Sequence, residues 1–387
     1  MLPQVHASKH WRRAHVRNLL TTSPDRVEPP CPIYHACGGC QLQHMAYARQ
    51  LEFKRDAVRE TLRRIGHIDI EPEPTVPSDP FGYRRKISLT PDEHDGALDL
   101  CLHRWDDASA LVHVERCPLL VEQLNAALPA VEAWINSGEM TWCRPELRRV
   151  VLRILDEQPV IVLACDPLPP RPRYPERVPL PSGIAGAYCS ERPEGTPAYH
   201  LGPAPATPLH PGAFAQANAD IARRLYQAVV ETAGEGSAAI VDTYAGAGLL
   251  AEQLGHHHKH VIAIELDRDA VAAARRRIQA AGLRKRVIVR RGRVEQLLPD
   301  HLPADLVVLD PPRAGCDSRV IQALIDQPPA HLAYISCHPA AFARDARRFL
   351  DGAYTLDRLT PFDMFPQTHH VELLGLLSHH PGSGASR

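Results

Sequence analysis

Between Ile240 and Ile335 the chain alternates short, continuous apolar runs with stretches whose apolar residues recur every three or four positions. The runs are Ile240 to Thr243, Val261 to Ile264, Val287 to Val289, Leu306 to Leu309 and Leu332 to Ile335. Strands that are apolar throughout are buried on both faces. With helices between them, they predict an α/β fold whose parallel sheet is doubly wound and Rossmann-like. Upstream the pattern changes. Lys86 to Leu89, Ala97 to His103, Val150 to Leu155 and Val160 to Ala164 are short runs separated by turn residues, which predicts a mixed, mostly antiparallel β central domain. Met45 to Gly66 has helical period, carried by Leu51, Ala57, Val58, Leu62 and Ile65. Asp166 to Pro181 holds too much proline for a helix or a central strand and reads as an extended connection. Leu373 to Leu377 reads as a final strand.

These patterns divide the chain into an N-terminal segment over 1–30, a cysteine-bearing segment with the central α+β domain over 31–200, and the doubly wound domain over 201–387. A chain of 387 residues, 44% of them hydrophobic, can bury cores for more than one domain. It contains no apolar run of the roughly 18 residues a membrane span needs, and no apolar stretch follows its basic N-terminus. A cytoplasmic protein with no membrane partner is therefore expected.

With 44 Lys+Arg against 45 Asp+Glu, overall charge gives no sign of a nucleic-acid partner. Local charge does. Lys54, Arg55, Arg59, Arg63 and Arg64 share one predicted helix, and Arg275, Arg276, Arg277, Arg284, Lys285, Arg286, Arg290 and Arg291 crowd a second stretch. Each group is either a nucleic-acid contact or a solvated helix face.

The first strand of the parallel set leads into DTYAGAG, where Gly246 and Gly248 allow a tight turn and close approach to a ligand. The second ends in Glu265, nineteen residues after Gly246, where such folds offer an acid to ribose hydroxyls. Together they favour an adenosine-containing cofactor over a plain turn with a surface carboxylate. Gly292-Arg-Val-Glu295 and Asp310-Pro-Pro-Arg313 end the third and fourth strands, and Ser336-Cys-His-Pro339 ends the fifth. Cys337 is thus delivered to the ligand-binding edge. A thiol of pKa about 8.5 needs electropositive neighbours to be a ready nucleophile, and Arg313 and His338 are the candidates. Without them Cys337 is a small buried hydrophobe. Glu372, where HHVE meets the last apolar run, is placed to act as a base.

Ten cysteines in a reducing compartment do not make a disulfide framework. Cys31, Cys37 and Cys40 have C-x5-C-G-G-C spacing, and Cys117, followed by proline, is the best fourth ligand. The set suits a 4Fe-4S cluster, although zinc can accept the same thiolates. Cys101, Cys143, Cys165, Cys189 and Cys316 lack such spacing and are expected to be structural.

In order along the chain, CPIYHACGGCQLQH, HVERCPLL, PGAFAQAN, VDTYAGAG, the strand ending in Glu265, LDPPRAG, YISCHP and DMFPQTHHVE resemble the RNA uracil-5-methyltransferase family, specifically its iron–sulfur branch acting on 23S rRNA. The resemblance spans roughly residues 20 to 380. It implies Gln216, Tyr244, Glu265 and Asp310 as contacts for S-adenosyl-L-methionine, Cys337 as nucleophile and Glu372 as base. It also implies Cys31, Cys37, Cys40 and Cys117 as ligands of the 4Fe-4S cluster. The expected partner is RNA, with 23S rRNA preferred to tRNA and to DNA, and the protein is expected to act as a monomer. A non-catalytic iron–sulfur RNA-binding protein is the rival reading. Three departures from the family pattern stand out. Ala245 and Leu249 replace a Cys and a polar residue, and Arg293 replaces an acid. The small β-barrel that often precedes the cluster is reduced to HVRNLLTTSPDRVEPP, which looks like its last strand and exit.

Overall fold

The computed structural model describes residues 4–7, 12–14, 18–155, 157–169, 178–193, 199–201, 216–234 and 239–380. Parts of three sequence expectations lie outside them: residues 15–17 of the barrel-exit segment, 170–177 of the proline-rich connection and 211–215 of PGAFAQAN. At the N-terminus β1 (Gln4–Ala7) and β2 (Arg12–Ala14) pair antiparallel. The cysteine loop follows, and then α1 (Tyr47–Thr61), which continues as π-helix over Leu62–Gly66.

The central sheet contains β3 (Lys86–His94), β4 (Ala97–His103) and β5 (Leu111–His113), then β6 (Leu147–Leu155), β7 (Gln158–Cys165), β8 (Gly186–Ser190) and β9 (Tyr199–Leu201). Its order is β5-β4-β3-β6-β7-β8-β9, and every pair is antiparallel except β7 with β8. Helix α2 (Glu122–Ile135) packs Leu124, Leu128 and Val131 into the apolar residues of one face, among them Leu89, Leu100 and Ile161.

The second sheet is built from a βα repeat. After α3 (Ala219–Ala233) come β10 (Ile240–Thr243), α4 (Leu249–His257), β11 (Val261–Glu265), α5 (Arg268–Ala280) and β12 (Val287–Arg291). Then follow α6 (Val294–Leu297), β13 (Leu306–Leu309), α7 (Ser318–Asp326), β14 (His331–Ser336), α8 (Pro339–Asp351), β15 (Tyr354–Phe362) and β16 (Glu372–His379). The order is β12-β11-β10-β13-β14-β16-β15. The first five strands are parallel, and β16 runs antiparallel to both neighbours. Helices cover both faces, as apolar strands require: α3, α4 and α5 contribute Leu225, Leu254 and Val271 on one side, and α7 and α8 contribute Val320 and Phe349 on the other.

Helix α1 joins this second core. Val58, Leu62 and Ile68 are buried with Phe342 and Ala343 of α8. Contact is so close that a Cβ on Gly66 would sit 2.8 Å from the Ala343 carbonyl oxygen. Lys54 on the same helix is fully buried, which corrects its place in a basic surface group. Its ammonium donates to Asp363 Oδ1 and, at 3.0 Å, to the Phe365 carbonyl. Around that pair Tyr47 donates to Asp363 Oδ2 at 2.8 Å, and the Gln50 and Gln367 side chains meet at 2.9 Å. Three arginines of the group are met by acids: Arg55 and Arg59 by Glu71, and Arg63 by Glu60. For this helix the surface reading of the basic group fails for Lys54.

A buried charge that loses its partner is expensive. Lys54→Met should lower the unfolding free energy by about 3–5 kcal/mol in chemical denaturation. A loss below about 1 kcal/mol would mean that Asp363 is solvated or otherwise neutralised.

Candidate active site

The carboxyl edge of the parallel strands opens into a cavity of about 970 Å³, within the range of small-molecule sites. At its floor β10 gives way to a strained turn. Tyr244 has φ 58°, and Gly248 has φ 76° with no room for a Cβ, which would lie 2.9 Å from Cβ of Ala274. Glu265, at the end of β11, closes this turn by accepting the Gly246 amide at 2.8 Å. It also accepts the Leu266 and Asp267 amides at 2.7 and 2.8 Å. A carboxylate has about four lone-pair sites, so one remains for a ligand hydroxyl.

Gln216, Tyr244, Glu265, Asp310, Cys337 and Glu372 all line this one cavity. The antiparallel turn of the chain explains the last of them. Because β16 runs against β14, its first residue arrives where β14 ends, and Ser336 pairs with Leu373. Glu372 thereby comes beside Cys337, thirty-five residues away in sequence. Arg313 is carried there by the loop after β13, whose Cys316 amide donates to the buried carboxylate of Asp345 at 2.8 Å.

The cavity is acidic. Burial, then the charges of Asp310 and Glu265, push Asp242 up to about 8, and burial pushes Asp310 up to about 7. Glu372 is pushed up to about 8 by burial and then by Asp310. The Asp242 Oδ2 atom is buried without a hydrogen-bond partner. Such an atom costs free energy unless a ligand meets it. Asp242 is a candidate contact that the reading of DTYAGAG passed over, although it opens that motif.

Cys337 departs from expectation in its electrostatics. Burial first and Glu372 second push its thiol up from the ordinary range, and Arg313 only partly opposes them. His338 does not help: it is exposed, and its Nδ1 accepts the Ala341 amide at 3.2 Å to cap α8. Among the departures from the family pattern, Leu249 lines the cavity, whereas Arg293 does not and instead lies 3.5 Å from Glu295.

Cys31, Cys37, Cys40 and Cys117 line a second, largely apolar cavity of about 160 Å³. Residues 86 apart in sequence meet there because Cys117 follows the strand that pairs with β4, and the cysteine loop rests on β4, with the Gly38 amide donating to His103 O at 2.9 Å. The Gly39 amide points at Cys37 Sγ, 3.3 Å away. No three of the four sulfurs lie within 4.8 Å of one another. Burial leads, and repulsion from the other three adds, in pushing Cys40 up to about 12. Cys101, Cys143, Cys165, Cys189 and Cys316 are buried in the cores.

The family model for tRNA (uracil-5-)-methyltransferase matches residues 209–380. An uncharacterized RNA methyltransferase of Thermosynechococcus vestitus is 31% identical, covering 97% of this chain and 89% of its own. Another, from Halalkalibacterium halodurans, is 29% identical over 96% of this chain and 88% of its own. The solved tRNA (uracil-54, C5)-methyltransferase of Pyrococcus abyssi, in complex with S-adenosyl-L-homocysteine, superposes with TM-score 0.72 at 26% identity, covering 97% of this chain and 92% of its own.

Thiolate is the reactive form of cysteine, and Arg313 is the cation that favours it here. Removing that charge raises the thiol further, so Arg313→Gln should slow alkylation of Cys337 by iodoacetamide at pH 8 by roughly 2- to 10-fold. The inflection of rate against pH should move upward, read by mass spectrometry of the Cys337 peptide. An inflection that stays put or moves downward would remove Arg313 from the site's electrostatics.

Proposed function

The chain belongs to the RNA uracil-5-methyltransferase family, and from that premise we propose that Cys337 attacks C6 of a uridine in 23S rRNA to allow methylation at C5. It is an S-adenosylmethionine-dependent RNA methyltransferase. The observation that carries the mechanism is the meeting of Cys337 and Glu372 at one edge of the sheet, inside a cavity whose remaining carboxylates suit a cationic cofactor. Those acids, the glycine turn and the orphaned Asp242 oxygen fit a sulfonium-bearing nucleoside, with Glu265 placed for a ribose hydroxyl. S-adenosylmethionine supplies an electrophilic methyl group.

The chain's own residues supply the rest. Uracil C5 is too weak a nucleophile by itself, and addition of the Cys337 thiolate at C6 makes it enolate-like. Once C5 carries the methyl group, Glu372 takes the remaining C5 proton, and elimination breaks the sulfur–C6 bond to release Cys337. For this the carboxyl must be ionised, and its raised pKa of about 8 makes it a strong base when it is. A stacked base cannot reach a recessed thiol, so the uridine is flipped or comes from a loop.

The four cysteines fit a 4Fe-4S cluster better than zinc. Tetrahedral zinc with sulfurs about 2.3 Å away would draw them within about 4 Å of each other. The cradle is wider than that, and it offers an amide hydrogen to Cys37. Held by Cys31, Cys37, Cys40 and Cys117, a cluster would crosslink the cysteine loop to the central sheet.

Two substrates compete. The cysteine set resembles the 23S rRNA branch, whereas the Pyrococcus structure that matches nearly the whole chain is a tRNA enzyme. Labelled-methyl transfer to 23S rRNA and to tRNA decides between them.

On a denaturing gel with labelled RNA, Cys337→Ala should give neither product nor a covalent band. Glu372→Gln should stall after methyl transfer, leaving protein attached to methylated RNA and turnover reduced roughly 10²- to 10⁴-fold. Normal turnover of Glu372→Gln, or a band with Cys337→Ala, would refute these roles.

Protein purified without oxygen should be brown and carry about four iron and four sulfide per chain. Stoichiometric zinc without broad absorbance near about 400 nm would refute the cluster.

A further inference from the structure

Arg84 and Gly39 line both cavities, the four-cysteine cradle and the active site. The Arg84 backbone is fixed from two sides. Its amide donates to Leu119 O at 2.7 Å and its carbonyl accepts the Val121 amide at 3.1 Å, just beyond Cys117. It also bridges to Asn218, and the next amide, of Arg85, donates to Ala217 O at 3.2 Å, beside Gln216. One side-chain nitrogen is committed as well, Nε donating to Lys86 O at 2.9 Å. Among the described residues no carboxylate forms an ion pair with this guanidinium, unlike those of Arg55, Arg63, Arg277 and Arg347.

An RNA strand that delivers a flipped uridine brings its phosphates with the base. The floor of the cavity, lined by Asp242, Asp310 and Glu372, offers them no cation. The charge of Arg313 acts on the Cys337 thiol, and Arg84 is the cation beside the glycines of the cysteine loop. Resting on the function proposed above, we propose that Arg84 binds a phosphate of the RNA backbone next to the target uridine, from a position that the cysteine cradle holds fixed. The planar fork offers a phosphate two parallel donors, and the Nε bond to Lys86 removes much of the entropy cost of presenting them.

The test uses cluster-loaded protein, a 23S rRNA transcript and a tRNA transcript, with RNA affinity measured across a range of salt concentrations. Arg84→Gln should bind RNA roughly 10-fold more weakly at about 0.1 M salt, with the slope of log affinity against log salt shallower by about 0.7 to 1. Arg84→Lys should keep the slope and lose only part of the affinity. Iron content, visible absorbance and affinity for S-adenosylmethionine should match wild type in both variants. An unchanged slope in Arg84→Gln overturns the proposal, as does a loss of iron that accounts for the weaker binding, because Arg84 then serves the cysteine centre. A fall in cofactor affinity with RNA binding intact also overturns it, because the anion would then be the cofactor's carboxylate. Wild-type protein that binds and methylates neither RNA would instead refute the function on which this proposal rests.

Discussion

The buried pair of Lys54 and Asp363 holds the molecule's chemistry together. Lys54 belongs to the helix that follows the cysteine loop, and Asp363 opens the irregular segment between β15 and β16. That segment ends at Glu372. Tyr47, Gln50 and Tyr83 each hydrogen bond into it, and the Gln367 carbonyl in turn accepts the amides of Gln41 and Leu42 from the cysteine loop at 3.0 Å. Two charges removed from water are tolerated only with close partners. The pair therefore specifies one arrangement of cysteine loop and sheet, and with it the position of the proposed base.

Sheet geometry does the second half of the work. Parallel strands present all their carboxyl ends on one edge, so β10, β11, β13 and β14 deliver Asp242, Glu265, Asp310 and Cys337 to a common cavity. A sixth parallel strand would deliver its end there too, but only after crossing the sheet. The antiparallel β16 instead brings its beginning to that edge, directly from the clamped segment. The price is a concentration of carboxyl groups, with Asp242, Asp310 and Glu372 raised by burial and Asp242 and Glu372 also by Asp310, which a cationic cofactor relieves.

The two cavities share a wall in Arg84 and Gly39. A centre formed by the four cysteines would stiffen a loop that is also the side of the active site. On this view the cysteine set acts on chemistry at a distance by fixing a surface rather than by taking part in a step.

The parallel strands were legible because burial on both faces leaves an unbroken apolar run, and Ile240 to Thr243 and Leu306 to Leu309 coincide with β10 and β13 to the residue. The candidate site residues were legible because short local motifs at strand ends carry them. Lys54 was misread, since helical period and charge place a lysine on a face without saying that an acid 309 positions later will bury it. Of the cations expected beside Cys337, Arg313 acts on its thiol, but the charges of Glu372 and Asp310, brought there by other parts of the sheet, oppose it. Asp242 was passed over although it opens a motif, since it matters through an unfilled hydrogen bond, and Arg84 gave no signal, since it matters through its place between two cavities. Sequence by itself determined which elements form and which reactive groups stand at their ends, since both follow from local pattern. Only the tertiary structure decided which charges are buried, which acids face the thiol and which residues two sites share, since electrostatics and solvent exclusion depend on distances between parts of the chain that no local pattern encodes.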